Sequence, residues 1–385
     1  DGGMRYTIGQ LAEIIDGDRG KNYPKQDEFY PQGYCLFLNT GNVTKEGLIF
    51  EENQFIMKEK DEALRKGKLK RGDIVYTTRG TVGNAGYYNS SVPYENVRIN
   101  SGMVILRANG EIVDARFLYQ ILKSEYYRPY FKQYCTGSAQ PQLPIKNFSQ
   151  IYLNVPDIKT QHRIADILSV YDDLIENNQR QIKLLEEAAQ RLYKEWFVDL
   201  RFPGHENTKI VDGVPEGWSR GLLKELISVN YGKDHKKAPD DGNIPVYGSG
   251  GLMRKCNKSL FSGEAVLIPR KGSLNNIMYV DETFWTVDTM FYATMKQPHT
   301  AIFVYFFVKA FDMYSINIGA AVPSMTTKIL DAMDVVIPDK ETLGKFDKLT
   351  KTYFNKIKTL QGQNERLKIA RDLLLAKLMS GEMEM

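Results

Sequence analysis

The sequence predicts an α+β fold in which two homologous α/β domains are separated by two long helices that form an antiparallel coiled coil. The first observation is an internal repeat, because Pro156 and Asp157 match Pro338 and Asp339 at a spacing of 182 residues. The second is that a heptad-spaced helix follows each matched pair, and the third is that a strand-rich segment precedes it. A repeat this long indicates a duplicated domain with a duplicated helix, since solenoid repeats are several times shorter.

Both long helices carry the heptad spacing of a coiled-coil seam. The seam positions are Leu168, Tyr171, Ile175, Asn178, Ile182, Leu185 and Leu192 in the first helix, and Tyr353, Ile357, Leu360, Asn364, Leu367 and Leu374 in the second. The second seam is more polar, because Thr350 and Arg371 also occupy seam positions. Asp157 and Asp339 supply N-terminal caps. A twofold relation between homologous halves would make the helices antiparallel.

Asn178 and Asn364 occupy seam positions where an apolar residue would be more stabilising. A buried asparagine can fix the register or the number of partners at a cost in stability. A slack, partly hydrated seam explains the same residues equally well, and the sequence leaves both interpretations open. The full first seam runs from Ile164 to Trp196, and its 33 residues are roughly 50 Å long at the helical rise, so the helix pair can act as a spacer.

The strand-rich segments that precede the two helices also match each other. Gly9–Ile15 corresponds to Gly221–Ile227, and Arg71–Tyr76 corresponds to Ser262–Leu267 at a different offset. The changing offset indicates insertions in loops between fixed elements, and such loops commonly carry recognition. A linker rich in Gly and Pro marks the start of the second half. The predicted divisions are residues 1–155, 156–202, 203–337 and 338–385, with a globular domain and a long helix in each half.

Composition allows nucleic-acid binding without demanding it, since the net charge of the 385-residue chain is only +4. Cys35, Cys135 and Cys256 lie far apart, which favours a reducing compartment, and the four histidines are too dispersed to suggest a metal site. The apolar run from 301 to 308 is too short to cross a bilayer. With no signal-peptide pattern, the sequence predicts a cytoplasmic protein with no membrane contact.

Signatures of catalysis are missing from the sequence. There is no Walker loop, nucleophile elbow or Rossmann glycine fingerprint, and no Asn-Pro-Pro-Tyr motif of an adenine methyltransferase. The glycine-rich run Gly80–Gly86 has the wrong spacing for a phosphate loop and suits a hairpin turn after a strand. We therefore predict that the chain has no chemistry of its own.

Several stretches resemble the conserved regions of type I restriction-modification specificity (S) subunits, and together they extend over nearly the whole chain. They are Leu143–Phe148, Val155–Ser169, Asp172–Ile182, Leu192–Phe197, Val214–Trp218 and Leu373–Glu382. The resemblance implies two target-recognition domains, at residues 1–155 and 203–337, each of which reads one half of a bipartite site in double-stranded DNA. It also implies that the two conserved helices, at 156–202 and 338–385, set the spacer between the half-sites.

The resemblance further implies the partners of the chain. Two methyltransferase (M) subunits would dock on the helices, and restriction (R) subunits can join the complex. The partners would use S-adenosylmethionine, ATP and Mg, whereas the specificity subunit itself holds no cofactor and is not an enzyme.

Residues that can read DNA are concentrated in the polar loops of each half, because Arg, Lys, Asn, Gln, Ser and Thr supply the groups that pair with base edges. The candidates of the first half are Lys21, Asn22, Lys25, Thr77, Thr78, Arg79, Thr81, Asn84, Gln140 and Gln142. Those of the second half are Lys236, Lys237, Arg270, Lys271, Ser273, Asn275, Asn276, Ser324, Thr326 and Thr327. For any one of them, a solvated turn position or a phosphate contact is favoured over a base contact.

A different class of function fits the same pattern. The coiled coil could serve as a protein-interaction scaffold whose globular halves bind peptides or proteins without recognising DNA. Salt-dependent DNA affinity would separate the two hypotheses, since phosphate contacts release counterions. A nuclease or methyltransferase acting alone is disfavoured by the missing motifs.

Overall fold

The computed structural model describes residues 3–137, 140–317 and 324–380. The chain divides into two compact units, of which the first comprises residues 1–178 and 362–385 and the second comprises residues 179–361. Both long helices, α6 (Ile158–Tyr193) and α9 (Lys340–Ser380), contribute residues to each unit. Each unit therefore combines one globular half with parts of both helices.

The first unit contains short strands and short helices ahead of α6. The strands are β1 (Met4–Thr7), β2 (Ala12–Asp16), β3 (Cys35–Leu38), β4 (Val43–Thr44), β5 (Gly47–Leu48), β6 (Phe55–Ile56), β7 (Ile74–Thr77), β8 (Ala85–Tyr87), β9 (Val97–Ile99), β10 (Met103–Ala108) and β11 (Tyr152–Val155). The helices are α1 (Ile8–Leu11), α2 (Lys58–Ala63), α3 (Ala115–Lys123), α4 (Arg128–Lys132) and α5 (Ile145–Ser149). An antiparallel sheet has the order β2-β10-β7-β8, and a smaller sheet has the order β6-β3-β9.

The second unit contains fewer and longer strands. They are β12 (Ile210–Val211), β13 (Val214–Pro215), β14 (Ser219–Leu222), β15 (Ile227–Tyr231), β16 (Ile244–Gly248), β17 (Gly251–Cys256), β18 (Phe261–Pro269), β19 (Met278–Thr286), β20 (Met290–Met295) and β21 (Asp334–Ile337). The short helices are α7 (Ala301–Lys309) and α8 (Thr327–Asp331). The main sheet has the order β15-β20-β18-β19-β16-β17.

The internal repeat predicted from the sequence is present in the fold. In the first half β1 pairs antiparallel with β11, and in the second half β14 pairs antiparallel with β21. The order β2-β10-β7 recurs as β15-β20-β18. The elements α5 and α8, β11 and β21, and α6 and α9 begin 182 residues apart. The prediction of an α+β fold with a duplicated domain is confirmed.

Apolar side chains from the helices and the sheets form the core of each unit. In the second unit Phe303 and Phe306 of α7 are buried, as expected for a core helix. The segment predicted as a linker is also part of that core, because Phe202 and Trp218 pack together with ring centroids 4.8 Å apart. None of the helices within the described ranges is long and apolar enough to cross a membrane.

Both long helices begin with the same cap. The Asp157 carboxylate accepts hydrogen bonds from the backbone N–H groups of Lys159 and Thr160, at 3.0 and 3.2 Å. Asp339 accepts equivalent bonds from Glu341 and Thr342, both at 2.9 Å. These bonds satisfy backbone donors that the first helical turn leaves unpaired, so the predicted helix starts are confirmed.

The predicted seam residues of the long helices are all buried or half-buried. Those that are buried are Leu168, Ile175, Asn178, Ile357, Leu360 and Asn364. Those that are half-buried are Tyr171, Ile182, Leu185, Leu192, Tyr353, Leu367 and Leu374. Near the end of α9 the fully buried position is Leu375, which was not among the predicted residues.

Two polar contacts join α6 and α9 within the first unit. Asn178 Nδ2 donates to Asn364 Oδ1 at 2.9 Å, and both side chains are buried. Arg371 Nη1 donates to Asp172 Oδ1 at 2.8 Å. The residue number falls along one segment as it rises along the other, so these two segments run in opposite directions. The asparagines are paired with each other, which favours a defined contact over a hydrated gap.

Asp172 is the centre of an ionic network in the first unit. Besides Arg371, it accepts hydrogen bonds from Lys123 Nζ at 2.6 Å and from Gln120 Nε2 at 2.5 Å. Burial alone would raise the pKa of Asp172, but Lys123 and Arg371 outweigh it and hold the pKa below its usual range. Burial lowers the pKa of Lys123 to about 8. The network joins α3, α6 and α9, and Arg371 also pairs with Asp372, whose Oδ1 lies 3.0 Å from Arg371 Nη2.

We expect Asp172→Asn to lower the free energy of unfolding by about 2–4 kcal/mol at pH 7, because the largely buried Lys123 loses its ion-pair partner and Arg371 is left with Asp372 alone. Asp173→Asn is the matched control, since Asp173 is exposed on the next position of α6. The pKa of Asp172 is lowered in the folded chain, so the stability that its ionised carboxylate contributes is lost as the pH falls below about 4. The difference in unfolding free energy between wild type and Asp172→Asn should therefore become smaller at low pH. Urea unfolding measures both quantities. Equal stability of the two variants at pH 7 would contradict the account.

Candidate nucleic-acid interface

Four segments of the first unit meet at one end of strand β7. The backbone N–H groups of Thr78 and Arg79 donate to the carbonyl oxygen of Gly102, at 3.0 and 3.1 Å. The N–H of Leu143 donates to Thr78 O at 2.9 Å. Arg19 Nη2 donates to Ser101 O at 3.2 Å. We call residues 17–25, 78–84, 100–102, 136–137 and 140–143 the first loop cluster.

The second unit contains an equivalent arrangement at the end of β18. The N–H of Arg270 donates to Thr289 O at 2.8 Å, and the N–H of Met325 donates to Arg270 O at 2.9 Å. These bonds correspond to the bonds of Thr78 and Leu143 in the first cluster. We call residues 232–237, 270–276, 287–289 and 324–327 the second loop cluster. Because the same backbone hydrogen bonds occur in both clusters, the internal repeat includes the packing of these loops as well as the strands and helices.

Each cluster contains a glycine at an equivalent position, where two backbone segments come into close contact. Gly17 follows β2 and Gly232 follows β15, and both pack against the turn that leads into the central strand of their sheet. A Cβ atom at Gly17 would lie 2.3 Å from Asn100 O, and one at Gly232 would lie 2.0 Å from Val287 O. No side chain fits at these distances, so close approach of two backbones requires glycine at both positions.

The structure divides the predicted DNA-contacting residues of the first unit into two groups. The exposed ones are Lys21, Lys25, Arg79, Thr81, Gln140 and Gln142. The remaining ones bond to the protein backbone, because Thr77 Oγ1 donates to Thr81 O at 2.6 Å and Thr78 Oγ1 donates to Gly102 O at 3.2 Å. The side chains of Asn84 and Asn22 likewise donate to Val43 O and Ala63 O. Thr77, Thr78 and Asn84 are buried and shape the loop from within.

The second cluster shows a similar division. The exposed candidates are Lys236, Lys237, Lys271, Ser273, Asn275 and Thr326, and the half-buried ones are Arg270, Asn276, Ser324 and Thr327. Asn275 Nδ2 donates to Asp312 Oδ1 at 2.9 Å and Asn276 Nδ2 donates to Ser249 O at 2.8 Å, so both amides hold the loop. Thr326 Oγ1 accepts from the N–H of Ile329 and caps α8.

Arg270 is held against the sheet. Its guanidinium lies 4.9 Å from the ring centroid of Tyr231 and 5.2 Å from that of Phe291, and Nη1 donates to Asp288 O at 2.8 Å. The next residue, Lys271, is exposed. Lys271 is therefore better placed than Arg270 to reach a ligand.

Sequence reasoning missed several members of the clusters. They are Arg19, the turn 100–102 and the turn 287–289, and Tyr231 at the border of the second cluster was missed as well. Tyr231 ends β15, is 53% exposed and lies directly beside Arg270. An exposed aromatic at a strand end before a glycine is a local signal that could have identified Tyr231. The two turns carry no such signal, because only strand pairing brings them to the loops after β7 and β18.

The exposed side chains of the two clusters are mainly hydrogen-bond donors. Within the described parts of the chain, Lys21, Lys25, Arg79, Lys236 and Lys271 form no ion pair. Their charges are therefore not neutralised by the rest of the described chain. Among the residues that the structure describes, no group of three or more His, Cys, Asp or Glu side chains is arranged to hold a metal ion.

The fold is a repeated domain with one loop cluster in each unit, and each cluster exposes cations that form no ion pair among the described residues. The chain belongs to the type I restriction-modification DNA specificity family, because the type I restriction modification DNA specificity domain matches residues 3–187 and 215–368.

Individual relatives agree with this assignment. The type I restriction enzyme MjaIX specificity subunit of Methanocaldococcus jannaschii is 24% identical over 367 residues, which cover 84% of this chain and 81% of the relative. The type I restriction enzyme HindI specificity subunit of Haemophilus influenzae is 24% identical over 463 residues, which cover 95% of this chain and 98% of the relative. The crystal structure of the type I restriction-modification system S subunit from M. genitalium has a similar fold, with a TM-score of 0.55 and 18% identity over 97% of this chain and 95% of that one.

We expect Gly17→Ala and Gly232→Ala each to lower the free energy of unfolding by about 1–3 kcal/mol, because the added methyl group must displace a backbone carbonyl. Gly110→Ala and Gly250→Ala are the matched controls, since no heavy atom outside the neighbouring residues lies within 4 Å of a Cβ at either position. Urea unfolding of the four variants tests the packing. If the Gly17 and Gly232 variants were as stable as the controls, the close contact between the two backbone segments at these glycines would be contradicted.

Proposed function

We propose that this chain is the sequence-recognition subunit of a type I restriction-modification complex and that each loop cluster reads one half of a bipartite DNA site. The observation that carries the proposal is the recurrence of one four-segment loop cluster on the two copies of a repeated scaffold. A target with two separate parts needs two equivalent surfaces, whereas a single continuous target does not. Membership of the DNA specificity family supports the same conclusion.

The chemistry of the exposed residues favours DNA as the ligand. Arg79 and Gln142 face each other across an isolated β-bridge, so a guanidinium and an amide emerge side by side from the first cluster. Guanidinium groups pair with guanine and amides pair with adenine in the major groove. The exposed lysines of both clusters suit phosphates. We assign base readout to Arg79, Gln140, Gln142 and Lys271, and loop shaping to Thr77, Thr78, Asn84 and Arg270.

The two long helices act as the spacer between the half-sites. In this proposal α6 and α9 form an antiparallel coiled coil along their predicted seams, with domains at residues 1–155 and 203–337. The bond between Asn178 and Asn364 supports a fixed register, because each amide satisfies the other only in one alignment. A fixed register makes the distance between the two clusters a property of the helix length.

The outer faces of the helices dock the partner subunits. In the first unit Ile167, Val170 and Leu174 of α6 are 42%, 55% and 47% exposed, and Ile369 and Leu373 of α9 are 60% and 59% exposed. Their spacing of three or four residues puts the members of each set on one face of their helix. Exposed apolar faces of this kind mark interaction sites. We assign them to two methyltransferase (M) subunits, which bring S-adenosylmethionine; ATP and Mg belong to complexes that include restriction (R) subunits. This chain contributes recognition and no catalytic group.

The test is to co-express the chain with the methyltransferase subunit encoded beside it and to map N6-methyladenine in the host DNA. We expect a split motif of two short half-sites around a fixed gap. Arg79→Ala and Lys271→Ala should each relax one half-site only, with about a tenfold loss of discrimination at the affected base pair, because one base contact contributes about 1–3 kcal/mol. Lys70→Ala is a control, since Lys70 precedes the opposite end of β7.

Three outcomes would count against the proposal. An unsplit motif would contradict two-part reading, and loss at both half-sites from one substitution would contradict one cluster per half-site. Absence of new methylation, with both subunits soluble and associated, would favour a protein-interaction scaffold without DNA recognition.

A further inference from the structure

A basic segment beside the first loop cluster has no role in reading bases, yet its backbone is held rigidly in place. The segment is residues 64–66, which follow α2 and carry the exposed side chains of Arg65 and Lys66. Two charged groups that are themselves buried, Asp18 and Arg98, hold it from opposite sides. We call Arg65 and Lys66 together with Arg19 the basic track.

Arg98 holds the carbonyl side of the segment. Its guanidinium is 5% exposed and donates to Leu64 O at 3.1 Å and to Lys66 O at 2.7 Å. The charge of Arg98 is balanced by Asp61, which is 1% exposed and accepts a hydrogen bond from Arg98 Nε at 2.5 Å. A buried ion pair of this kind is costly to break, so the backbone of the segment is fixed.

Asp18 holds the amide side and joins the segment to the first loop cluster. Its carboxylate accepts hydrogen bonds from the N–H of Gly20 at 2.7 Å and the N–H of Arg65 at 2.8 Å. A Cβ at Gly20 would lie 2.7 Å from Arg65 Nη2, so the Arg65 guanidinium rests on the Gly20 backbone. The neighbouring Arg19 reaches Ser101 O, in the turn that accepts the Thr78 and Arg79 bonds. The basic track is therefore continuous with the Arg79 loop.

The charges of the track are available to a ligand. Within the described ranges, Arg65 and Lys66 form no ion pair, while Arg19 is paired with Asp16 at 3.2 Å on an exposed surface. Exposed pairs of this kind exchange readily because they are weak. Asp18 attracts the Arg65 guanidinium as well as accepting bonds from backbone N–H groups, but it is buried, so the exposed charge of the track is positive. A fixed backbone that carries exposed cations is a preorganised site for an anion.

We infer that the basic track binds the phosphate backbone of the DNA next to the half-site read by the first loop cluster. The inference rests on the proposed function, because it names a further contact surface of the same complex. Contacts from Arg65 and Lys66 to phosphates add affinity that does not depend on sequence, whereas Arg79 contributes discrimination. The basic track thus enlarges the DNA-contacting surface of the first unit beyond the first loop cluster.

The test uses the complex of this chain with its methyltransferase subunit and two fluorescent duplexes, one with the split motif and one without it. Binding is measured over a series of KCl concentrations for wild type and for the double variant Arg65→Ala and Lys66→Ala. Loss of two phosphate contacts should weaken binding to both duplexes by about 10- to 30-fold near 0.15 M salt. It should also reduce the slope of log affinity against log salt by about 2. The methylated motif should stay the same.

The control double variant is Lys70→Ala with Arg5→Ala. It removes the same two residue types from exposed positions, since Lys70 precedes the opposite end of β7 and Arg5 lies on β1, which pairs with β11. Arg65→Lys with Lys66→Arg should restore the wild-type slope, because the charges return to a backbone that is unchanged.

The variant with Ala at 65 and 66 could keep the salt slope and the affinity of the control while wild type binds the split motif. In that case the phosphate contact of the basic track would be contradicted and the proposed function would stand. If wild type showed no preference for its split motif, the proposed function itself would fail. A changed motif in the double variant would overturn the assignment to phosphates.

Discussion

The antiparallel pairing of the first strand with the last strand in each half is the constraint on which the rest of the structure depends. It closes β1 on β11 in the first half and β14 on β21 in the second, and a long helix begins three residues after each closing strand. Because the same pairing precedes both helices, each helix starts in the same relation to its own sheet. An N-terminal Asp cap then fixes the first residue of each helix, since Asp157 and Asp339 accept hydrogen bonds from the first free backbone N–H groups.

Polar groups in the long helices are compatible with a stable fold because each has a specific partner. Asn178 bonds to Asn364, and Arg371 bonds to Asp172, so no charge or amide of these four is left buried alone. An ion pair of this kind adds little net stability over an apolar pair, but removing one partner is costly. Both contacts lie within the first unit, where they align the α6 and α9 segments of that unit with each other.

The sequence predicts the parts of this fold that depend on local pattern. The spacing of 182 residues locates α8, β21 and α9 from α5, β11 and α6, and the glycines after β7 correctly indicate a hairpin, since β7 and β8 pair antiparallel. The sequence does not indicate which polar loop residues are exposed. Thr77 and Asn84 have the composition of a recognition loop, yet their hydrogen bonds turn them inward. Whether a threonine points outward depends on the backbone acceptors that long-range strand pairing brings near it.

The remaining parts of the candidate interface come from contacts between residues far apart in the chain. Gly102 accepts the bonds that organise the Arg79 loop only because β10 pairs with β7, and no pattern near residue 102 predicts this role. The basic track depends in the same way on Arg98 of β9 and Asp18 after β2. Loop residues could therefore be predicted as a class from composition, whereas their individual roles required the fold.

The most direct test of the account is to shorten both helices by one heptad and to map the methylated motif again. Deleting residues 175–181 and 361–367 removes one heptad from each helix, including the bonded pair Asn178 and Asn364, so the heptad pattern on either side keeps its spacing. The helices become shorter by roughly 10 Å, which corresponds to about three base pairs. The account predicts the same two half-sites around a gap that is about three base pairs shorter. An unchanged gap, or altered half-sites, would contradict the claim that two independent surfaces read DNA at a distance set by the helices.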